Sequence, residues 1–233
     1  MLHGSSNPGV AGSELTRLLA RLADVPPAHS RLVFAERLVH WLDWTGAISL
    51  AAALNAGPDA LAAVRGAGGG ADRGAGCDAG AEKADFERVR AALEASIATR
   101  PDEPASSPTE FAPYRRHCAE QQQAMQDAVG ALRQRLRDAL SRQSAAGARL
   151  AAIDAVLDRA LAGHERSLLG LVPLRLQAQF ERLQGLQRAA GDPDSRWQDI
   201  FQDDMQQLLR AELAHRLLPA QGLLDTLLTD ETT

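Results

Sequence analysis

Between Val129 and Leu171 one spacing never breaks. Val129, Leu132, Leu136, Ala139, Gln143, Ala146, Leu150, Ile153, Leu157, Ala160, His164, Ser167 and Leu171 follow one another at alternating steps of three and four. Such alternation keeps a seam on one side of a helix, so the stretch is built to lie along other helices. Leu140, Leu161 and Leu168 sit beside the seam at e positions and Val156 at a g position, which widens the stripe toward that of a bundle helix rather than a two-stranded zipper. Pro113 suits the first turn of a helix, where its absent amide donor costs nothing. From there to Leu171 a continuous helix would span roughly 87 Å at about 1.5 Å per residue. The weakest part of the seam, Gln143 and Ala146, flanks Ser144, a residue type that caps new helices. An unbroken rod and a hairpin turning at Ser144 are both compatible with the pattern.

The rest of the chain agrees with an all-α class. Aromatic residues make up only 4% of the 233 residues, and a core of Leu, Val and Ala suits helix packing better than a sandwich or barrel. The expected fold is an elongated helical bundle with long coiled-coil-like helices. A formal charge of −5 argues against a surface coated in basic residues for nonspecific nucleic-acid binding, although a local basic face fits within an acidic total. A single lysine, Lys83, stands against 24 arginines, a bias that coding composition explains as readily as guanidinium chemistry. Cys77 and Cys118 form no CxxC spacing and no paired framework, which suits a reduced compartment. The first residues lack the basic and apolar regions of a secretory signal, and no stretch nears the ~18 apolar residues of a membrane span. The expectation is a cytoplasmic protein without direct membrane insertion.

Segments read as follows. Residues 1–64 form an N-terminal helical part, with a short amphipathic helix at Ser13–Ala23 stopped by Pro26 and Pro27. A denser apolar run from Ser30 to Leu54 follows, expected to be the most buried portion of this half. Residues 65–82 are a glycine-rich flexible loop, with nothing to bury. Residues 83–99 form a docking helix carried by Phe86, Val89, Leu93 and Ile97, and residues 100–112 are a Pro- and Ser-rich linker. Residues 113–233 are the long-helix bundle: Pro173 interrupts the seam, Leu176, Phe180, Leu183 and Gln187 mark the next face, and Trp197, Phe201, Met205, Leu208 and Leu209 the last. A short leucine-rich tail, Leu223–Leu228, closes the chain.

Motifs for chemistry are weak. Gly66–Ala71 matches GxGxxA but lies in glycine-rich sequence with no strand before it, and no GxxxxGK[ST] loop occurs. The six histidines show no metal-ligand spacing, and His164 on the seam reads as a residue that sets register. Asp199, Asp203 and Asp204 cluster within a turn; a metal-dependent nuclease would need further ligands from other helices, and a solvated acidic face needs none. No catalytic residue, metal ligand or cofactor is assigned. Arg135, Arg142 and Arg149 recur at g positions, and Arg115, Arg116, Arg133 and Arg137 fall in the same region. This strip suits DNA phosphates or an acidic partner helix; its competing reading is a solvated face paired inside the bundle. Trp41 and Trp44 share a helix face and, with Leu223 and Leu227 of the tail, are the candidate protein-interface residues.

The blocks AERLVHWLDWTGAISLAAAL (35–54), FAPYRRHCAEQQQAMQDAV (111–129) and LAAIDAVLDRALAGHERSLLGLVP (150–173) resemble a family of proteobacterial proteins catalogued as a domain of unknown function. WLDW and YRRH are the most distinctive parts. Members of that family look like the soluble accessory component of type III Zorya antiphage systems, which accompany a membrane motor pair similar to flagellar stators. The resemblance implies a nonenzymatic antiviral-defence component acting through protein contacts; DNA binding is an expectation from the arginine strip, and homo-oligomerisation a separate one. A general helical scaffold or adaptor is the alternative reading, and a cryptic metal-dependent nuclease the third.

Overall fold

The computed structural model describes residues 14–23, 44–55, 78–100, 110–190 and 196–230. Among these every regular element is a helix: α1 (Glu14–Leu22), α2 (Trp44–Asn55), α3 (Ala79–Ala98), α4 (Ala112–Gln143), α5 (Ala145–Leu169), α6 (Leu171–Ala190) and α7 (Arg196–Asp230). The class is all-α and the architecture a helical bundle. The expected loop up to residue 77, the linker at 101–109, and the apolar run before Trp44 lie outside the described residues.

The long seam turns at Ser144. Its backbone is extended (φ −151°, ψ 163°), its amide still bonds Leu140 O, and its Oγ accepts from Gly147 N at 2.9 Å, so one residue ends α4 and caps α5. Such a one-residue link brings the following turn hard against the preceding one. A Cβ at Gly147 would collide with the carbonyl of Leu140, which is why glycine stands there. Beyond the turn α5 runs antiparallel to α4: Arg133 and Arg137 reach Asp154 and Asp158, and Gln122 reaches the carbonyl of Leu169. The hairpin, not the rod, is the observed form.

The seam's burial changes at that turn. Val129, Leu132, Leu136 and Ala139 are buried as expected, but Leu150, Ile153, Leu157 and Ala160 are only half-buried, and His164 and Ser167 are exposed. In α5 the buried set is Gly147, Ala148, Ala151, Val156 and Leu169. Small residues there let α5 lie close to α4, while part of the leucine stripe is left for α2, which packs on α5. The described part of the dense N-terminal run is therefore not the most buried part: Ile48 and Leu54 of α2 are exposed at 55% and 44%. Among the described helices α2 packs chiefly on α5, and a helix resting on one neighbour buries only a narrow side.

Two boundaries differ from the sequence reading. The docking helix starts at Ala79, four residues early, because the Asp78 carboxylate caps it through Ala81 N at 3.1 Å. The leucine-rich tail is not separate. Helix α7 continues through Pro219 to Asp230, since Leu217, Ala220, Leu223, Leu224 and Leu227 are buried on one side of it. Each fully buried leucine is worth about 1.5–3 kcal/mol, comparable with the ~3 kcal/mol that an interior proline costs, so several together outweigh it.

Helix α7 is the spine: α4, α3, α6 and α1 all pack on it. At the start of α4 and α7 the aromatics Phe111, Tyr114, Phe180, Trp197 and Phe201 gather, with Tyr114 edge-on to Phe201 at 5.0 Å and Phe180 edge-on to Trp197 at 5.2 Å. Edge-to-face pairs add about 0.5–1.5 kcal/mol beyond their buried area, so this cluster pins α6 against α4 and α7.

Candidate interaction surface

The arginine strip does not form one surface. Arg133 Nε and Nη2 hold Asp154 at 2.8 and 2.6 Å and its Nη1 holds Asp158 at 2.7 Å. Arg137 repeats the pattern, Nε to Asp154 and Nη2 to Asp158, both at 2.7 Å. With side chains 14% and 11% exposed, these two guanidinium groups are committed to fastening α4 to α5. The four-group arrangement is a charge-assisted fork geometry, in which planar guanidinium groups share the same pair of carboxylates. Arg135 pairs with Asp85 of α3, which Arg88 also meets. Arg149 donates to the carbonyl of Leu54, tying α5 to the end of α2. Arg115, Arg116 and Arg142 are exposed.

The interface candidates are likewise divided. Leu223 and Leu227 are 3% and 0% exposed, and the Leu227 carbonyl accepts from Gln143 Nε2 at 3.1 Å, so both belong to the α4–α7 contact within the chain. Trp41 lies outside the described residues; Trp44 opens α2, its side chain not among the described ones. The acidic trio is dispersed: Asp199 pairs with Arg100 at 2.7 Å, Asp204 accepts from Gln179 at 2.7 Å and meets Arg21 at 3.5 Å, and Asp203 is exposed. No group of three or more His, Cys, Asp or Glu placed to hold a metal occurs among the described residues. None of the described helices is long and apolar enough to cross a membrane.

The surface that stands out was not singled out by sequence. On α6, Leu171, Leu174, Ala178 and Gly185 follow at steps of three, four and seven, which places them on one helix face, while Leu186, twelve residues after Leu174, lies roughly 120° around the helix from it. All five are exposed, Leu174 and Leu186 at 62% and 60%. The opposite side of α6 holds Val172, Leu176, Gln179 and Phe180 against the core. The signal was available: α6 carries apolar residues on two sides, more than one core contact requires.

A second polar group lies inside the bundle. Glu212 is fully buried, accepting from Gln122 Nε2 and Arg216 Nε, each at 2.9 Å. Burial pushes its carboxyl above the ordinary value, against the opposing pull of Gln122 and Arg216. Burial, and then the charge of Glu212, pushes the Cys118 thiol up to about 12. Buried His117 is pushed below its ordinary value by burial, Glu120 opposing.

Fold and surface together define a class: an all-α bundle that is closed inside by charged clasps and carries an apolar helix face outside. Within that class the chain belongs to the family described as protein of unknown function (DUF3348), whose pattern matches residues 1–229. Searches of curated proteins and of solved structures gave no match.

Proposed function

We propose that this chain is a nonenzymatic cytoplasmic component of an antiphage defence assembly, acting by helix-mediated contact with a protein partner. The observation that carries the protein-binding part is the exposed face of α6, where Leu171 and Leu174 stand in solvent, with Leu186 exposed further round the same helix and the core side already packed. Apolar groups concentrated on one rigid helix suit a partner helix laid along it. The defence part rests on the resemblance to type III Zorya accessory proteins, and it makes a stator-like membrane pair the partner to test.

The test is to look for a stator-like membrane pair encoded beside this gene and to co-express the chain with it. Wild type is expected to co-purify with the pair and to reduce plaque formation. Leu174→Asp with Leu186→Asp should lose both while unfolding at nearly the wild-type temperature, since exposed substitutions usually change stability by less than about 0.5 kcal/mol. Retained co-purification by the double variant removes α6 from the reading; the absence of any stator-like neighbour removes the defence assignment and leaves a general helical adaptor.

DNA contact is a second reading, supported only by exposed Arg115, Arg116 and Arg142. If it holds, replacing those three by Gln lowers the slope of log affinity against log salt by about 0.9 per lost phosphate contact. No binding by the wild type at ~50 mM salt discards it.

A further inference from the structure

Helices α4, α5 and α7 meet around a charged cluster in which Glu212 and Arg216 are withdrawn from solvent and Glu165 is 35% exposed. Glu212 of α7 accepts from Gln122 Nε2 of α4 and from Arg216 Nε one turn on, each at 2.9 Å. Arg216, its side chain 10% exposed, also lies 3.8 Å from Glu165 Oε1 of α5 and donates to Gln126 Oε1 of α4 at 3.4 Å. The Gln122 amide is shared as well: the same Nε2 donates at 3.2 Å to the carbonyl of Leu169, where α5 ends and the chain bends into α6. Beside Arg216, His215 has a buried Nδ1 with no hydrogen-bond partner among the described residues.

Two carboxylates face one guanidinium, which leaves one negative charge over; around buried Glu212 ionic interactions are stronger than in water, while Glu165 at the edge is partly screened by solvent. One proton would neutralise the cluster. We propose that Glu212, Glu165 and Arg216 form a proton-responsive joint: ionised Glu212 holds Arg216 along α7, and protonated Glu212 releases Arg216 to Glu165 of α5, while the two hydrogens of the Gln122 amide stay on Glu212 and the Leu169 carbonyl. Proton uptake thereby moves one tie, that of the Arg216 guanidinium, from within α7 to α5, one turn before the α5–α6 corner, and sets how firmly that end of α5 is held. A protonated carboxyl keeps its place as a neutral hydrogen-bonding group but no longer anchors a guanidinium.

Glu212, rather than His215, is the receiving group. Burial raises the Glu212 carboxyl, Gln122 and Arg216 lower it, and Glu165 raises it further, with a net upward direction. Burial drives His215 the other way, with Glu165 opposing and Arg216 reinforcing. The groups facing Glu212 are thus Gln122 and Cys118 from α4, Glu165 from α5 and Arg216 from α7. Because the folded state holds the Glu212 proton more tightly than the unfolded chain, its contribution to stability is complete below the ordinary carboxylate value and is lost as pH rises through the folded value.

The experiment is a pH titration of the full chain labelled with 13C at glutamate carboxyls and 15N at arginine side chains. One glutamate should titrate above the ordinary carboxylate range and be absent in Glu212→Gln, and Arg216 Nε should shift with the same midpoint. Glu165→Gln should lower that midpoint, and His215→Asn should leave it in place. The joint is overturned if no glutamate titrates high, if the step persists in Glu212→Gln or vanishes in His215→Asn, or if Arg216 does not follow it. Should Glu212→Gln fail to fold, the downward shift in Glu165→Gln still decides the matter, and an unchanged midpoint there refutes the proposal.

Discussion

Gly147→Ala separates local propensity from hairpin geometry, because the two predict opposite signs. In an exposed helix interior, replacing glycine by alanine stabilises by about 0.5–1 kcal/mol through lower unfolded-state entropy and better helix propensity. Gly130 and Gly163 meet that description, both exposed and with nothing within 4 Å of the added Cβ. Gly147 is buried, and its Cβ would press into the backbone of Leu140 across the one-residue link, with Ser144 Oγ 3.1 Å away on another side. Backbone cannot rotate away as a flexible side chain would, and α4 and α5 are fixed on either side by the arginine clasp. Overpacking costs about 1–3 kcal/mol, and a clash with backbone belongs in the upper part of that range, about 2–3, so after the propensity gain Gly147→Ala should destabilise by about 1–2.5 kcal/mol. For a chain of this length that corresponds to a fall in Tm of roughly 2–10 °C, against a rise of roughly 1–4 °C for Gly130→Ala and Gly163→Ala. Calorimetry of the three single variants measures it. A Gly147→Ala variant as stable as the other two would show that the turn at Ser144 has slack, and would refute the close approach of α4 and α5.

The arginine clasp should behave as structure: Arg137→Ala is expected to cost about 2 kcal/mol, since it leaves Asp154 and Asp158 partly buried and short of a partner, while Arg142→Gln changes stability by less than about 0.5 kcal/mol. Urea unfolding of both checks this, and equal effects would contradict the pairing. Cys118, fully buried with its thiol pushed up to about 12, should react with a disulfide reagent at neutral pH only as the protein unfolds, which absorbance with and without denaturant reads in a Cys77→Ser variant, where it is the one thiol left. His117, with its Nε2 buried and its folded value lowered, should contribute stability that is full above its ordinary value of 6.5 and is lost as pH falls from there through the folded value. The drop in Tm between pH 7.5 and 5.5 should therefore be smaller in His117→Gln than in wild type.

Periodicity carried the fold as far as one neighbour per helix. Leu132, Leu136 and Ala139 are buried as their spacing predicts, because α4 is enclosed by α3, α5 and α7 and has no second choice of face. Past Ser144 the same leucine phase was misleading. The seam reads straight across a one-residue break, since losing a single residue to a turn barely disturbs a three-and-four rhythm. What decides α5 instead is side-chain size and charge: Ala148 and Ala151 permit close approach to α4, and Asp154 and Asp158 on that side find guanidinium partners. Ile153 and Leu157, half-buried on the seam, were free to serve a different neighbour, because α2 also packs on α5.

The charged residues were less legible for a physical reason. Spacing along one helix says which arginines share a face, but their partners come from other helices: Asp154 and Asp158 are 17–25 positions away from Arg133 and Arg137, and Glu212 is 90 from Gln122. A carboxylate at such a distance leaves no trace in local composition, so a strip that looks electropositive in sequence is largely neutralised once the helices fold together. The converse holds for α6, where Leu174 and Leu186 are ordinary residues of a leucine-rich chain and become distinctive only when the core is seen to be complete without them. An interaction surface is defined by what folding leaves over, and that remainder is fixed by packing. The arginines argue for a stable hairpin, and the leucines outside the core argue for a partner.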